Sequence, residues 1–97
     1  MLKGKQKRFL RALASSIEPV VQIGKFGLGD NALASIEEAL AARELIKIKV
    51  LKNSPQEPQE VADAVVVKNR AELVQLIGRN IIIYRPIPDK PVIELPQ

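Results

Sequence analysis

Between residues 20 and 51 the apolar period switches from two to about 3.6 and back to two, and no other feature constrains the fold as much. Val20-Val21-Gln22-Ile23 reads as a short β-branched strand. Gly24-Lys25-Phe26-Gly27-Leu28-Gly29 follows, and three glycines in six residues mark a backbone that turns tightly or lies close to something. Asp30 or Asn31 then offers an N-cap, and Leu33, Ile36, Glu37 and Leu40 recur at helical spacing among alanines as far as Arg43. Residues 45–51 alternate again, with Ile46, Ile48 and Val50 on one face and Lys47 and Lys49 on the other. Strand, helix and strand make a βαβ unit, so its strands are expected to be parallel with a right-handed crossover.

The flanks extend this unit. Leu10, Leu13, Ala14 and Ile17 form a helical stripe with Phe9 beside it, and Pro19 is expected to end that helix. Two prolines mark a loop from Asn53 to Pro58. Gln59 to Val67 reads as a third helix, with Val61, Ala64 and Val65 inward. Arg70 to Ile77 reads as a fourth, with Ala71, Leu73, Val74 and Ile77 apolar and Gly78 as its C-cap. Asn80 to Arg85 is a strand, Pro86 to Pro91 a turn, and Val92 to Leu95 a last edge strand bracketed by prolines. The expected order is α-β-α-β-α-α-β-β. At 97 residues this is one α/β domain with one modest core.

The composition removes most chemistry. There is no cysteine and no histidine. Disulfides, thiolate metal sites, the usual zinc ligand sets and the Ser-His-Asp triad are excluded. Glu37-Glu38 and Glu57, Glu60 and Asp63 are spaced as helix surface charges, without a nucleophile or a ligand set beside them. No catalytic residue, metal, cofactor or small-molecule substrate is therefore expected. The apolar stretches fall far short of the ~20 residues that span a bilayer, so no membrane partner is expected either. Ala12-Leu13-Ala14 imitates a leader cleavage site, but Arg11 breaks the apolar run before it. The first seventeen residues are basic and amphipathic like an organelle presequence, yet they run straight into the first strand. The chain is read as mature and cytoplasmic.

What remains is charge. Residues 1–29 carry Lys3, Lys5, Lys7, Arg8, Arg11 and Lys25 against Glu18 alone, whereas residues 30–97 carry nine positive and ten negative charges. Such asymmetry points to a polyanion, either nucleic acid or an anionic surface; a solvated basic helix is the plainer alternative. Lys3, Lys7 and Arg11 stand four apart with Arg8 adjacent, an arrangement that repels itself until phosphates bind. The glycine loop before a helix has the form of an anion site. It lacks the Lys-Ser/Thr of a P-loop and the order of a dinucleotide fingerprint. It does contain G-x-x-G with Lys25-Phe26 between the glycines, the form that clamps nucleic-acid backbone in KH modules; a tight strand-to-helix turn would look the same. Phe26 stacks on a base if exposed and belongs to the core if buried. Lys47, Lys49 and Lys52 form a basic strand face or ordinary polar alternation. Arg79 and Arg85 flank a strand within possible reach of phosphate, and Tyr84 either stacks or packs.

Longer stretches carry a resemblance. Glu18-Pro19-Val20-Val21-Gln22-Ile23-Gly24-Lys25-Phe26-Gly27-Leu28, then Ala39-Leu40-Ala41-Ala42-Arg43-Glu44-Leu45-Ile46-Lys47-Ile48-Lys49-Val50, closely resemble the CRM RNA-binding domain in its stand-alone bacterial, YhbY-like form. Residues 71–78 and Ile83-Tyr84-Arg85-Pro86 resemble it too, so the whole of 1–97 is expected to be one CRM-type domain. The resemblance implies helices packed on a four-stranded mixed sheet, similar to the C-terminal domain of translation initiation factor three. It implies RNA binding, with a large-subunit ribosomal precursor as the partner of the bacterial form. Intron-type RNA, or docking on an assembly factor through the Val92–Leu95 edge, are the alternatives. The implied RNA-binding residues are Gly24, Lys25, Phe26 and Gly27 of the loop, Lys3, Lys7, Arg8 and Arg11 of the first helix, and Lys47. Gly29 stands where the family carries Ser or Thr, which leaves the helix cap to Gly29 or Asp30. Gly27→Asp is expected to damage binding more than fold.

Overall fold

The computed structural model describes residues 2–97. The period switch at residues 20–51 folds as β1 (Val21–Ile23), α2 (Asp30–Arg43) and β2 (Leu45–Val50), preceded by α1 (Gly4–Ala14). After it come α3 (Pro58–Lys68), β3 (Glu72–Ile77) and β4 (Asn80–Tyr84). The strands lie in the order β1-β2-β4-β3. β1 runs parallel to β2, while β2 with β4 and β4 with β3 are antiparallel. The four-stranded mixed sheet with helices packed on it is thus the one expected.

Both faces of this sheet are covered. On one, Ile46, Ile48 and Val50 join Ile81 and Ile83 against Ile36 and Leu40 of α2 and Val61 and Val65 of α3. On the other, Leu45, Ile82, Tyr84 and Val74 pack on Leu10 and Ala14 of α1. β4 therefore needs an unbroken apolar run rather than alternation, and residues 81–84 supply it.

Several local expectations are corrected. Residues 70–77 do not form a fourth helix; most of them form β3. The β3–β4 register steps from Leu73 opposite Ile83 to Gln75 opposite Ile82, so Val74 is a bulge residue. Leu73 packs toward α2 and α3 and Val74 toward α1, which places two adjacent apolar residues in one strand and imitates a helical stripe. Gly78, at φ +59°, turns the β3–β4 hairpin instead of capping a helix. Val92–Leu95 joins no sheet edge. α1 ends at Ala14, before Pro19 can act: the hydroxyls of Ser15 and Ser16 donate to the carbonyls of Ala12 and Leu13 and compete with a further turn. Its buried stripe is narrower than expected, because Phe9 and Leu13 stay partly exposed. α2 is capped by Gly29, which offers no side-chain acceptor, and Asp30 supplies negative charge in the first turn instead.

The residue that holds the C-terminal tail is Glu44. It is the single residue between α2 and β2, sits at φ +66° and is fully buried. Its carboxylate accepts the backbone N–H groups of Ile87 (2.6 Å), Val92 (2.8 Å) and Ile93 (2.7 Å). Its carbonyl accepts the N–H of Arg85 at 2.9 Å. The tail then lays Ile93 and Leu95 on the α1 side of the core, and Gln6 of α1 donates to the Pro96 carbonyl at 3.1 Å.

Arg85 is committed within the fold and its charge is paired, while one nitrogen of Arg79 is held by backbone carbonyls. Arg79 donates to the carbonyls of Val50 and Leu51. Arg85 grips both carboxylate oxygens of Glu37 at 2.9 Å and donates to the Asn69 carbonyl, joining the end of β4 to α2 and α3. The Arg85 hydrogen bond, then that from Asn69, lowers the Glu37 carboxyl below its ordinary value. A depressed carboxyl adds stability above its unfolded value of 4.5 and loses it as pH falls through the folded value. Wild type is therefore expected to out-melt Glu37→Gln at neutral pH, and the two melting curves to converge in acid. A gap that persists at every pH would remove the ion pair from the account.

Candidate nucleic-acid interface

The loop after β1 is a turn closed by the Gly27 N–H donating to the Gly24 carbonyl at 2.9 Å, with Lys25 and Phe26 at its corners. A second segment braces it from behind. The Leu51 N–H donates to the Ile23 carbonyl at 2.8 Å and carries the β1–β2 pairing past the strand ends. The Gln56 side-chain oxygen accepts the Leu28 N–H at 3.0 Å, and Ser54 fixes the Gln56 backbone through two hydrogen bonds. Sequence reasoning missed Gln56 as a loop support; its signal was a stretch stiffened by Pro55 and Pro58.

Phe26 settles on the exposed side of its two alternatives, at 89% accessible. The Lys25 ammonium lies 5.1 Å from the centre of its ring, within cation–π range. Full burial of such a side chain is worth about 1.5–3 kcal/mol, so the fold forgoes that here. Tyr84, by contrast, packs, and burial first and the Glu44 charge second push its phenol up.

The two glycines of G-x-x-G differ. Gly27 has φ +71°, and a Cβ there would run into the Gln56 side-chain oxygen and stand 3.0 Å from Cγ of Pro55. Gly24 has an ordinary φ, and a Cβ there would meet only Leu51 and Asn53 at 3.7 and 3.8 Å. The fold requires glycine at 27 and not at 24. Gly27→Asp, expected to damage binding more than fold, therefore carries a fold cost of its own. That variant should lose about 1–3 kcal/mol through backbone strain and a displaced Gln56, whereas Gly24→Ala should melt like wild type. Thermal denaturation of the two side by side decides it.

The other candidates lie along the sheet rather than around the loop. Helical steps put Lys7, Arg8 and Arg11 on one flank of α1 and Phe9 and Leu13 on the other. Lys3 and Arg8 are exposed, Lys7 and Arg11 half-buried. Among the described residues none of the four has an acidic partner within ion-pair distance; Arg85–Glu37 is the pair present. The N–H of Leu2 donates to Glu72, in the Leu45–Tyr84 row of the sheet, while the loop leaves the sheet at the Ile23–Val50 row. Those rows are five residues apart on β2, about 17 Å. Half-buried Lys47 and exposed Lys49 lie between, on the α1 side, with Lys49 opposite Gln22 and Asn80. The structure thus brings Gly24, Lys25, Phe26 and Gly27 into one turn. It leaves the start of the basic helix at the far end of the same sheet, with Lys47 part-way between. Among the described residues there is no cluster of metal-ligating side chains, and no helix is long and apolar enough to cross a membrane.

A domain that holds its most exposed aromatic, a glycine turn and unpaired cations out to solvent has the surface of a binding module. Comparison with known proteins gives the particular kind: the chain belongs to the CRS1/YhbY (CRM) domain family, whose model matches residues 2–85. It is 49% identical over 96 residues to Probable RNA-binding protein YqeI of Bacillus subtilis, covering 99% of this chain and all of that one. It is 42% identical over 96 residues to a Haemophilus influenzae protein named RNA-binding protein, covering 99% and 96% of the two chains. The solution structure of SAV1595 from Staphylococcus aureus matches with a TM-score of 0.82 and 48% identity, over 99% of this chain and 100% of that one.

Proposed function

We propose that this chain is a cytoplasmic RNA-binding protein that docks on structured ribosomal RNA during assembly of the large ribosomal subunit, with no chemical step. The observation that carries the reading is the Lys25–Phe26 turn, held out to solvent and braced from behind by Gln56. The names of the relatives support RNA as the ligand. The resemblance to the stand-alone bacterial form supports the ribosomal target. Phosphates are neutralised by Lys25, by Lys3, Lys7, Arg8 and Arg11 along α1, and by Lys47 between them, while Gly24 and Gly27 close the turn that presents Lys25 and Phe26 to the ligand. The spacing of these groups fits an extended RNA surface rather than a single phosphate pocket.

The test is a sucrose gradient of cell lysate, with the protein detected in each fraction beside a Lys25→Glu variant, which leaves the turn's hydrogen bonds in place. Wild type in the large-subunit precursor fractions and the variant at the top is the expected result. Wild type at the top of the gradient would sink the ribosomal assignment. Sedimentation that survives complete RNase digestion would show that the partner is protein.

A further inference from the structure

We propose that the G-x-x-G turn and the groove beside it take an unpaired nucleobase, stacked on Phe26, rather than a phosphate clamped at the start of α2. The proposal rests on the RNA-binding reading and names the part of the RNA that this turn recognises.

The first argument is the presentation of Phe26. Its ring is 89% accessible, at the corner of a turn fixed by the Gly24–Gly27 hydrogen bond and braced by Gln56. An aromatic on a stiff support loses little freedom when it stacks, so more of the stacking energy appears as affinity. Lys25 lies over the ring at 5.1 Å and leaves the opposite face open. A base on that face would leave the ring sandwiched between the base and the ammonium.

The second argument is the charge of the groove. It is a depression of about 760 Å³ between β1, the turn and the first turns of α2, and Gln22, Asp30, Asn31 and Ser35 line it with exposed polar side chains. A helix start attracts anions, but here Asp30 already places a carboxylate in the first turn of α2 and Gly29 offers no hydroxyl. Lys25 lines the same groove, so the two side-chain charges offset and no net positive charge is left to trap a phosphate there. Its polar groups suit a base edge: Asp30 accepts from an exocyclic amine or ring N–H, and the amides and hydroxyl both donate and accept. Bases in an A-form duplex are stacked and their major-groove edges lie too deep for side chains, so the ligand must have unpaired nucleotides.

Two RNA probes test this by fluorescence anisotropy at one salt concentration: a hairpin with an unpaired loop, and a blunt duplex of the same stem. Wild type should prefer the hairpin. Phe26→Ala should weaken hairpin binding roughly 5- to 150-fold and leave duplex binding and the salt slope unchanged. The chain contains no tryptophan, so Phe26→Trp introduces the only one. That variant should keep hairpin affinity, and its emission should be quenched in proportion to hairpin bound and not by the duplex. Equal hairpin binding by wild type and Phe26→Ala, or an unquenched tryptophan in the bound hairpin complex, overturns base stacking while RNA binding stands. Wild type that binds neither probe overturns the RNA reading itself, and this inference with it.

Discussion

Glu44→Ala should cost the domain about 3 kcal/mol and free its C-terminal tail. Three backbone N–H groups, of Ile87, Val92 and Ile93, converge on a carboxylate that is fully buried. Each buried donor left without an acceptor costs about 1–3 kcal/mol. Three such penalties would not be felt in full, because the tail can peel away and let water take the carboxylate's place. The loss is then capped by what the tail contributes in packing, chiefly through half-buried Ile87, Ile93 and Leu95. For a domain of this size that corresponds to a fall in Tm of roughly 10–25 °C. Hydrogen exchange gives the sharper readout. The amides of residues 87, 92 and 93 should lose protection while those of β2 and β4 keep theirs. Glu44→Gln should fall between, since its amide nitrogen faces donors and only one acceptor oxygen remains. Glu44→Gly orphans the same donors but relaxes the positive φ, so it should be milder than alanine by about 1 kcal/mol. An alanine variant with full tail protection and an unchanged Tm would mean that the carboxylate is not what holds the tail.

The sequence hid this residue for a physical reason. A glutamate at the end of an alanine-rich helix reads as surface charge, and charged side chains are rarely fully buried. The available clue was spatial. α2 runs to Arg43 and β2 begins at Leu45, so one residue makes the whole reversal, and a position needing φ +66° carries glutamate where glycine is usual. By contrast β1, α2 and β2 were legible because each buries one clean face and glycines punctuate the joints. β3 was not, because a strand covered on both sides and bulged at Val74 loses the period of two. The same limit applies to the candidate site. G-x-x-G showed that the backbone must turn, but only the fold separates Gly27, which the turn requires, from Gly24, which it does not. Exposure of Phe26 had no signature in the sequence, since an aromatic beside glycines and a lysine fits a core or a surface equally. The charges of Arg79 and Arg85 looked as available as that of Lys25 until their carbonyl and carboxylate partners were in view.

Replacing Lys7, Arg8 and Arg11 together by glutamine should lower RNA affinity on the order of a hundredfold or more at low salt, without weakening the fold. The three side chains share one flank of α1 and form no ion pair among the described residues, so their charge is available to a polyanion. Each phosphate that is no longer neutralised should flatten the slope of log K against log salt by about 0.7–0.9, or roughly two to three in all. The direction of the stability change excludes damage to the fold as the cause. Lys3, Lys7 and Arg11 repel one another at i, i+4, and glutamine is as good a helix former, so the triple variant should melt at or slightly above wild type. Affinity thus falls without a loss of stability, which misfolding cannot produce. The loop should behave differently: Phe26→Ala lowers affinity with the salt slope intact, because stacking releases no counterions. A triple variant with the wild-type slope would show that the basic flank of α1 faces water in the complex. The interface would then be confined to the turn and to Lys47 and Lys49 behind it, and the extended docking surface would be wrong even if RNA remained the ligand.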